Sequence, residues 1–325
     1  MKKLLVIFLA AAVAATLVVG LTGCASEKEP VVIGISQIVE HPALDAVRNG
    51  FIDYLNENGY KKDKDVTYDV NIAQGDMSTA KLIADKLVGM NPNLILTIAT
   101  PTSQVMVEAT TEIPIVFSAV TDPVGAGLVE SLEGGGKNVT GTTDLSPVDR
   151  QFELIMEVIP EIKKLGFIYN AGEANSLTSL KQAKEEAARL GFEIVEATAS
   201  NSGEVLSAAE SLVGKVDAIH IPTDNTVVSA FESVTKVCKD NDIPLFAADV
   251  DSVPRGAVAA IAIDYYRLGK QTGRMAIEIL KGKDPGTMPT ESLEDLLLYV
   301  NPGAAAEMGI ELPKDLVDRA DKIVE

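Results

Sequence analysis

The sequence predicts an α/β protein of two similar lobes, each built on a parallel sheet, with a ligand cleft between the lobes. Short apolar runs rich in β-branched residues alternate with segments of helical spacing, and the same order of elements occurs twice. Continuous apolar strands are typical of parallel sheets that are covered by helices on both faces. The length of 325 residues also favours about two domains.

The first half of the chain alternates strands with helices. The apolar runs predict strands, and the segments between them have apolar residues at helical spacing. Gly59 and the pair Asn91-Pro92 end two of these helices, and Thr100 is predicted as the N-cap of the third. The predicted strands are residues 31–35, 66–72, 94–99 and 115–119, and the predicted helices are residues 43–58, 79–90 and 101–110.

The second half repeats this order. Its predicted strands are residues 164–169, 192–197, 216–221 and 245–248, and its helices are residues 177–190, 204–213 and 225–239. Glycines that mark the first strand and the end of the first helix recur 132 residues later, and an Ile-Pro pair recurs after 130 residues. These equivalent positions are Gly34 and Gly166, Gly59 and Gly191, and the pairs beginning at Ile113 and Ile243.

Composition excludes several classes of protein. Lys and Arg number 28 against 47 Asp and Glu, which gives a net charge of −19 and argues against a nucleic-acid partner. Two Cys and two His are too few for a structural zinc site, so we expect no metal. No phosphate-binding loop of the Walker type is present, and residues 125–127 give only an incomplete dinucleotide pattern, so we expect no cofactor.

The N-terminus predicts an exported, lipid-anchored protein. Two lysines precede an uncharged apolar run at residues 4–21, and Leu-Thr-Gly-Cys at residues 21–24 resembles the bacterial lipobox. A membrane-spanning anchor is the alternative interpretation, since the run is about long enough to cross a bilayer. The lipobox implies a signal peptide at residues 1–23, lipid on Cys24 and a polar tether at residues 24–30.

Polar side chains follow most of the predicted strands. Because the carboxyl ends of parallel strands meet at one edge of a sheet, these side chains should line the cleft. The helix N-termini at Thr100 and Asn225 suit a carboxylate, and acidic side chains suit an ammonium, so the set fits a zwitterionic amino acid. Any one of these residues could instead be a helix cap or a turn residue. The strand-end carboxylates are Asp122, Asp224, Asp249 and Asp251.

Four segments carry a family resemblance: residues 34–45, residues 117–129 with the sequence Phe-Ser-Ala-Val-Thr-Asp-Pro-Val-Gly-Ala-Gly-Leu-Val, residues 141–144 with the sequence Gly-Thr-Thr-Asp, and residues 263–269 with the sequence Ile-Asp-Tyr-Tyr-Arg-Leu-Gly. With them the chain resembles bacterial ABC-transporter substrate-binding lipoproteins, and more closely the tryptophan/tyrosine-type binding proteins. The resemblance covers residues 31–325. It implies the type I periplasmic-binding-protein fold, with Rossmann-like lobes.

The resemblance also implies that the chain crosses between the lobes three times. Lobe 1 would then contain residues 31–143 and about 265–284, and lobe 2 would contain residues 144–264 and about 285–300. Residues 301–325 are not assigned to either lobe.

The function expected from the residues and the resemblance is that of an extracytoplasmic, lipid-anchored solute-binding component of an ABC importer. We expect a monomer without enzymatic activity, whose partners are an aromatic amino acid, permease and ATPase subunits, and the membrane. The alternatives are a ligand-presenting sensor of the same fold and an acid–base enzyme using His41 with Asp122 or Asp249. The expected ligand-binding residues are Ser36, Gln37, His41, Leu44, Ala99, Thr100, Ser103, Ser118, Val120, Asp122, Thr143, Asn170, Asn175, Ser176, Thr223, Asp224, Asn225 and Asp249.

Overall fold

The computed structural model describes residues 29–134 and 137–324, so the predicted signal peptide and Cys24 lie outside the described residues. Within these ranges the chain forms two sheets. The strands are β1 Val31–Gln37, β2 Val66–Ile72, β3 Leu94–Ile98, β4 Ile115–Val120, β5 Val139–Thr143, β6 Lys164–Tyr169, β7 Glu193–Thr198, β8 Ala218–Ile221, β9 Leu245–Ala247, β10 Ala259–Ile263, β11 Glu291–Ser292, β12 Leu296–Val300 and β13 Lys322–Ile323.

Helices connect most of the strands, as parallel pairing requires, because the chain must return to the same edge between strands. The α-helices are α1 Pro42–Glu57, α2 Met77–Met90, α3 Thr100–Ala109, α4 Val148–Val158, α5 Ala174–Leu190, α6 Val205–Glu210, α7 Asn225–Ser229, α8 Phe231–Asp240, α9 Tyr265–Leu280, α10 Pro302–Glu307 and α11 Lys314–Asp318.

The two sheets have separate hydrophobic cores. The first sheet has the strand order β11-β5-β4-β3-β1-β2 and is parallel throughout. The second has the order β13-β12-β10-β9-β8-β6-β7, and only β12 runs antiparallel to its neighbour β10. Because the strands within each sheet are mostly parallel, the polar loops that follow them lie at the same end of the sheet, as the sequence predicts.

Helices α1 and α9 pack closely enough to require glycine. A Cβ atom at Gly269 would lie 2.0 Å from the carbonyl oxygen of Val47, and one at Gly50 would lie 2.1 Å from that of Tyr266. This contact fixes α9 against the first sheet, although the preceding strand, β10, lies in the second sheet.

Several details differ from the sequence expectations. Residues from about 285 were expected in lobe 2, but β11 pairs with β5 of the first sheet, and the chain enters the second sheet only at β12. The helix expected at 225–239 is broken at Ala230, which has ψ of 28° and separates α7 from α8. Thr100 is the first residue of α3 rather than its N-cap, which is Ala99.

The C-terminal segment belongs with the second sheet. Strand β13 pairs with β12, and Met308, Leu312 and Leu316 are buried in the second core. Across residues 29–134 and 137–324, every helix is too short or too polar to cross a membrane.

Candidate functional site

A cavity lies where the loops of the two sheets face each other. The space between its lining atoms is about 350 Å³ when the part open to solvent is included, but only about 20 Å³ admits a water molecule, so the cavity is narrow in this structure. Residues of both sheets and of the segments that join them contribute to its wall. These residues are His41, Ala43, Leu44, Thr100, Ala119, Thr121, Asp144, Asn175, Thr223, Asp224, Asn225, Val228, Asp249 and Tyr265.

Two alanines at the ends of neighbouring strands hold an unusual backbone conformation. Ala99 follows β3 with φ of 79° and ψ of 160°, and Ala119 lies near the end of β4 with φ of 55°. Each such left-handed residue costs about 1–3 kcal/mol and persists only where the surrounding structure enforces it. Strain of this kind clusters at ligand sites, and Ala119 lines the cavity.

Four residues of the wall carry a buried polar atom that has no hydrogen-bond partner among the described residues. They come from both sides of the cavity, and a buried polar group without a partner is costly. A ligand that supplied the missing partners would remove this cost. The four atoms are His41 Nδ1, Thr100 Oγ1, Asn175 Oδ1 and Thr223 Oγ1.

The imidazole of His41 is neutral at physiological pH. Burial, helped by the positive charge of Arg255, lowers its pKa to about 3, and the Asn225 side chain beside it opposes this change only in part. His41 precedes α1 of the first sheet and Asn225 begins α7 of the second, so this contact joins the two sides of the cavity. A neutral imidazole offers a hydrogen bond to a ligand but no charge.

The cavity is acidic. Asp144, Asp224 and Asp249 line it, and no Lys or Arg of the described chain does. Burial raises the pKa of all three carboxyl groups. The nearby Arg255 is already occupied: its guanidinium donates to both carboxylate oxygens of Glu232 at 2.7 Å and to the Val228 carbonyl. A cationic group on a ligand would therefore meet three carboxyl groups with no lysine or arginine among the lining residues, and its charge would favour their ionised forms.

Asp224 is held by donors from its own side of the cavity. It accepts hydrogen bonds from the backbone N–H of Asn170 at 2.6 Å, the Ser176 hydroxyl at 2.6 Å and the backbone N–H of Val227 at 2.8 Å. Burial and the neighbouring charge of Glu173 raise the pKa of Asp224 to about 7. Glu173 in turn binds the side chains of Asn225 and Thr226, which orders the start of α7.

The structure brings together part of the set that the sequence predicted. Six lining residues were not expected there, and Tyr265 is the aromatic side chain among them. The expected residues that line it are His41, Leu44, Thr100, Asn175, Thr223, Asp224, Asn225 and Asp249. The unexpected ones are Ala43, Ala119, Thr121, Asp144, Val228 and Tyr265.

The remaining expected residues lie next to the cavity or in the core. Ser118 forms a buried ring of hydroxyls with Thr142 and Thr272, at 3.1 and 2.8 Å. Asn170 and Ser176 position Asp224, and the other side chains bond locally or are buried. Those that do not line the cavity are Ser36, Gln37, Ala99, Ser103, Ser118, Val120, Asp122, Thr143, Asn170 and Ser176.

A signal for some of the missed residues was present in the sequence. Asp144 lies directly after β5 and Tyr265 lies two residues after the end of β10, where the chain passes between the sheets. Both residues belong to segments that carried the family resemblance. Ligands bind beyond the carboxyl ends of parallel strands, and the same rule predicts these two residues when it includes the segments in which the chain passes between the sheets.

Two parallel sheets whose loops enclose a polar cavity define a two-lobed solute-binding protein. The chain belongs to the ABC transporter substrate binding protein family, whose model matches residues 32–324. The two sheets of mostly parallel strands match the type I periplasmic-binding-protein fold, which confirms the predicted fold class. The match to the family model confirms the predicted family.

Three similar proteins give this family context. A tyrosine-binding protein from Clostridioides difficile is 45% identical over 269 residues, which is 83% of this chain and 78% of the relative. The crystal structure of a Streptococcus pneumoniae ABC domain in complex with L-Trp is 34% identical, with a TM-score of 0.88 over 91% of this chain and all of the other. A ligand-free, open substrate-binding protein from Clostridium difficile is 41% identical, with a TM-score of 0.68 over 90% and 99% of the two chains.

Proposed function

We propose that this protein is the extracytoplasmic, lipid-anchored solute-binding component of an ABC importer and that it binds an aromatic amino acid by closure of two lobes. The observation that carries the proposal is the cavity between the sheets, which combines three aspartates, unpartnered polar atoms and apolar side chains. The tyrosine-binding relative and the L-Trp complex support the choice of ligand class.

The cavity offers a suitable partner for each part of such a ligand. The N-terminus of α3 and the unpartnered hydroxyl of Thr100 suit the carboxylate, since the first N–H groups of a helix have no partner within it. Asp249 suits the ammonium, because its hydrogen bonds in the described part of the chain come from one residue, through the backbone N–H and hydroxyl of Ser252. Leu44, Val228 and the ring of Tyr265 provide apolar surface for the side chain.

The proposed lobes are the two sheets with their helices. The chain is more similar to the L-Trp complex, with a TM-score of 0.88, than to the open protein, with 0.68, although it is more identical in sequence to the open one. This difference supports a closed arrangement of the lobes around the cavity. Contacts that form only in the closed state would supply the free energy of closure.

A thermal-shift screen of amino acids and sugars tests the ligand class. A ligand that binds only the folded state adds RT ln(1 + [L]/Kd) to its stability, about 2.7 kcal/mol at 100-fold excess over Kd. We expect tyrosine, tryptophan or phenylalanine to raise the unfolding temperature, with the D-enantiomer of the same amino acid as control. A shift with another class and none with these three would contradict the proposed ligand.

The proposed anchor is tested separately. Lipidation takes place on the Cys24 sulfur, so a Cys24→Ala variant should remain an uncleaved precursor without lipid. Mass spectrometry of the N-terminal peptide distinguishes the two forms. Wild-type protein that retains Met1 and carries no lipid would contradict the anchor but not the ligand class.

A further inference from the structure

The hydrogen bond between Asp144 and Tyr265 joins two of the segments in which the chain crosses between the sheets, at the wall of the cavity. Asp144 lies just after β5, where the chain leaves the first sheet, and Tyr265 begins α9, just after the chain leaves β10 of the second sheet. The Tyr265 hydroxyl donates to Asp144 Oδ2 at 2.8 Å, and the Thr121 hydroxyl donates to Oδ1 at 3.1 Å. All three residues are buried and line the cavity.

The described residues that line the cavity around Asp144 include two further aspartates and no lysine or arginine. Burial, together with the negative charges of Asp144, Asp249 and Asp251, raises the pKa of Tyr265 well above its usual value. A carboxylate has about four acceptor positions, and Asp144 has two donors in this structure, whereas Asp224 has three. Asp144 and Asp249 therefore retain more acceptor capacity toward a cation than Asp224 does.

We propose that Asp144 receives the ammonium of the ligand together with Asp249, and that Tyr265 positions the Asp144 carboxylate for this contact. The proposal rests on the amino-acid-binding function proposed above. Its consequence is that the ligand ammonium contacts the crossing segments directly, at the point where closure must bend the chain.

The test compares L-tyrosine with its analogue that lacks the amino group, 3-(4-hydroxyphenyl)propanoate, by calorimetry on wild type and Asp144→Asn. Losing a charged hydrogen-bond partner in a buried site typically weakens binding about 10- to 150-fold. We expect a loss in that range for tyrosine and less than about threefold for the analogue, because the analogue has no ammonium. Equal losses for both ligands, or tyrosine binding within twofold of wild type, would overturn the proposal.

The chain offers a matched control pair. The Tyr266 hydroxyl donates to Asp53 Oδ2 at 2.9 Å, the same kind of contact on the neighbouring residue of α9, and neither residue lines the cavity. Asp53→Asn and Tyr266→Phe should therefore leave tyrosine affinity within about twofold of wild type. A loss as large as that of Asp144→Asn would show that any broken Asp–Tyr pair in this region weakens binding, and it would overturn the specific role of Asp144.

Proton linkage gives a second measurement that does not depend on the analogue. An ammonium beside Asp144 and Asp249 favours their ionised forms, so wild-type protein should release protons when tyrosine binds at acidic pH. Calorimetry in two buffers of different ionisation enthalpy measures this release. Asp144→Asn should release fewer protons, and an unchanged release would contradict the proposal.

Tyr265→Phe keeps the Asp144 carboxylate and removes one of its two donors, the Tyr265 hydroxyl. Without that donor the pKa of Asp144 rises, so the decline of tyrosine affinity on acidification should begin at a higher pH than in wild type. An unchanged pH profile would contradict the positioning role. Wild-type protein that binds none of the three aromatic amino acids would instead contradict the proposed function itself.

Discussion

The buried carboxylates of the cavity differ in how many donors surround them. Within the described residues, the hydrogen bonds to Asp249 come from Ser252, whereas Asp224 accepts hydrogen bonds from three residues and lies beside Glu173. We therefore expect Asp224 mainly to organise its loops, and we expect Asp249 to be the better partner for the ammonium of the proposed ligand.

Asp249→Ala should weaken binding of the aromatic amino acid by about 1.5–3 kcal/mol, or roughly 10- to 150-fold in Kd, because it removes a charged hydrogen-bond partner. Calorimetry on folded protein measures the effect. Asp53→Ala is the control, since Asp53 is bonded to Tyr266 and does not line the cavity. If Asp249→Ala and Asp224→Ala both bind within twofold of wild type, neither residue holds the ammonium.

The pKa of Asp224 makes a prediction about stability. The carboxyl ionises near pH 3.8 when unperturbed and near pH 7 in the folded protein, so between these values the folded state keeps a proton that the unfolded state has lost. Its ionisation therefore costs stability as the pH rises through this window.

Asp224→Asn removes that titration. The unfolding free energy of the variant minus that of wild type should increase from about pH 4 to about pH 8. His41 and His220 also contribute to the pH dependence of the unfolding free energy, because burial lowers their pKa values. Their contributions are present in both proteins and cancel in the difference. Urea denaturation at several pH values measures it, and a difference that is flat or decreases over this range contradicts the raised pKa.

The sequence predicted a site residue correctly only where the residue follows a strand and its side chain also faces the cavity. Thr100 and Asp249 follow their strands and line the cavity. Ser118 lies within β4, and its side chain bonds Thr272 of α9 instead of facing the cavity. The sequence places a residue near the end of a strand, but it does not show which partner in a distant helix its side chain meets.

At the scale of elements, the α1–α9 contact depends on glycine. Gly269→Ala would place a methyl group 2.0 Å from the Val47 carbonyl oxygen, so the helices must separate. Overpacking of this kind costs about 1–3 kcal/mol. The control is Gly89→Ala in α2, where nothing lies within 4 Å and alanine should stabilise the helix by about 0.5–1 kcal/mol. Similar unfolding midpoints for the two variants would contradict this packing.

Apolar runs predicted most strands because buried parallel strands leave a strong local signal. The break at Ala230 and the return of the chain through β11 leave none, because β11 has two residues and its pairing with β5 depends on distant chain segments. The helix α4 was not predicted, although Phe152 and Ile155 are fully buried on its inner face.

For the whole molecule, the proposed closure predicts a change in size. The ligand should favour the closed arrangement because it contacts both sides of the cavity. Small-angle X-ray scattering should therefore show a smaller radius of gyration with tyrosine than without it, and Asp249→Ala should need more ligand to reach the same value. A radius of gyration that does not change with saturating ligand would contradict closure as the binding mode.

Aromatic amino-acid binding is tested most directly by titration calorimetry of the wild-type protein, purified by unfolding and refolding so that bound ligand is removed. We predict that L-tyrosine, L-tryptophan or L-phenylalanine binds with one ligand per chain, and that glucose and myo-inositol give no heat of binding. Binding of a sugar or polyol, with none of the three amino acids bound, would contradict the proposed function.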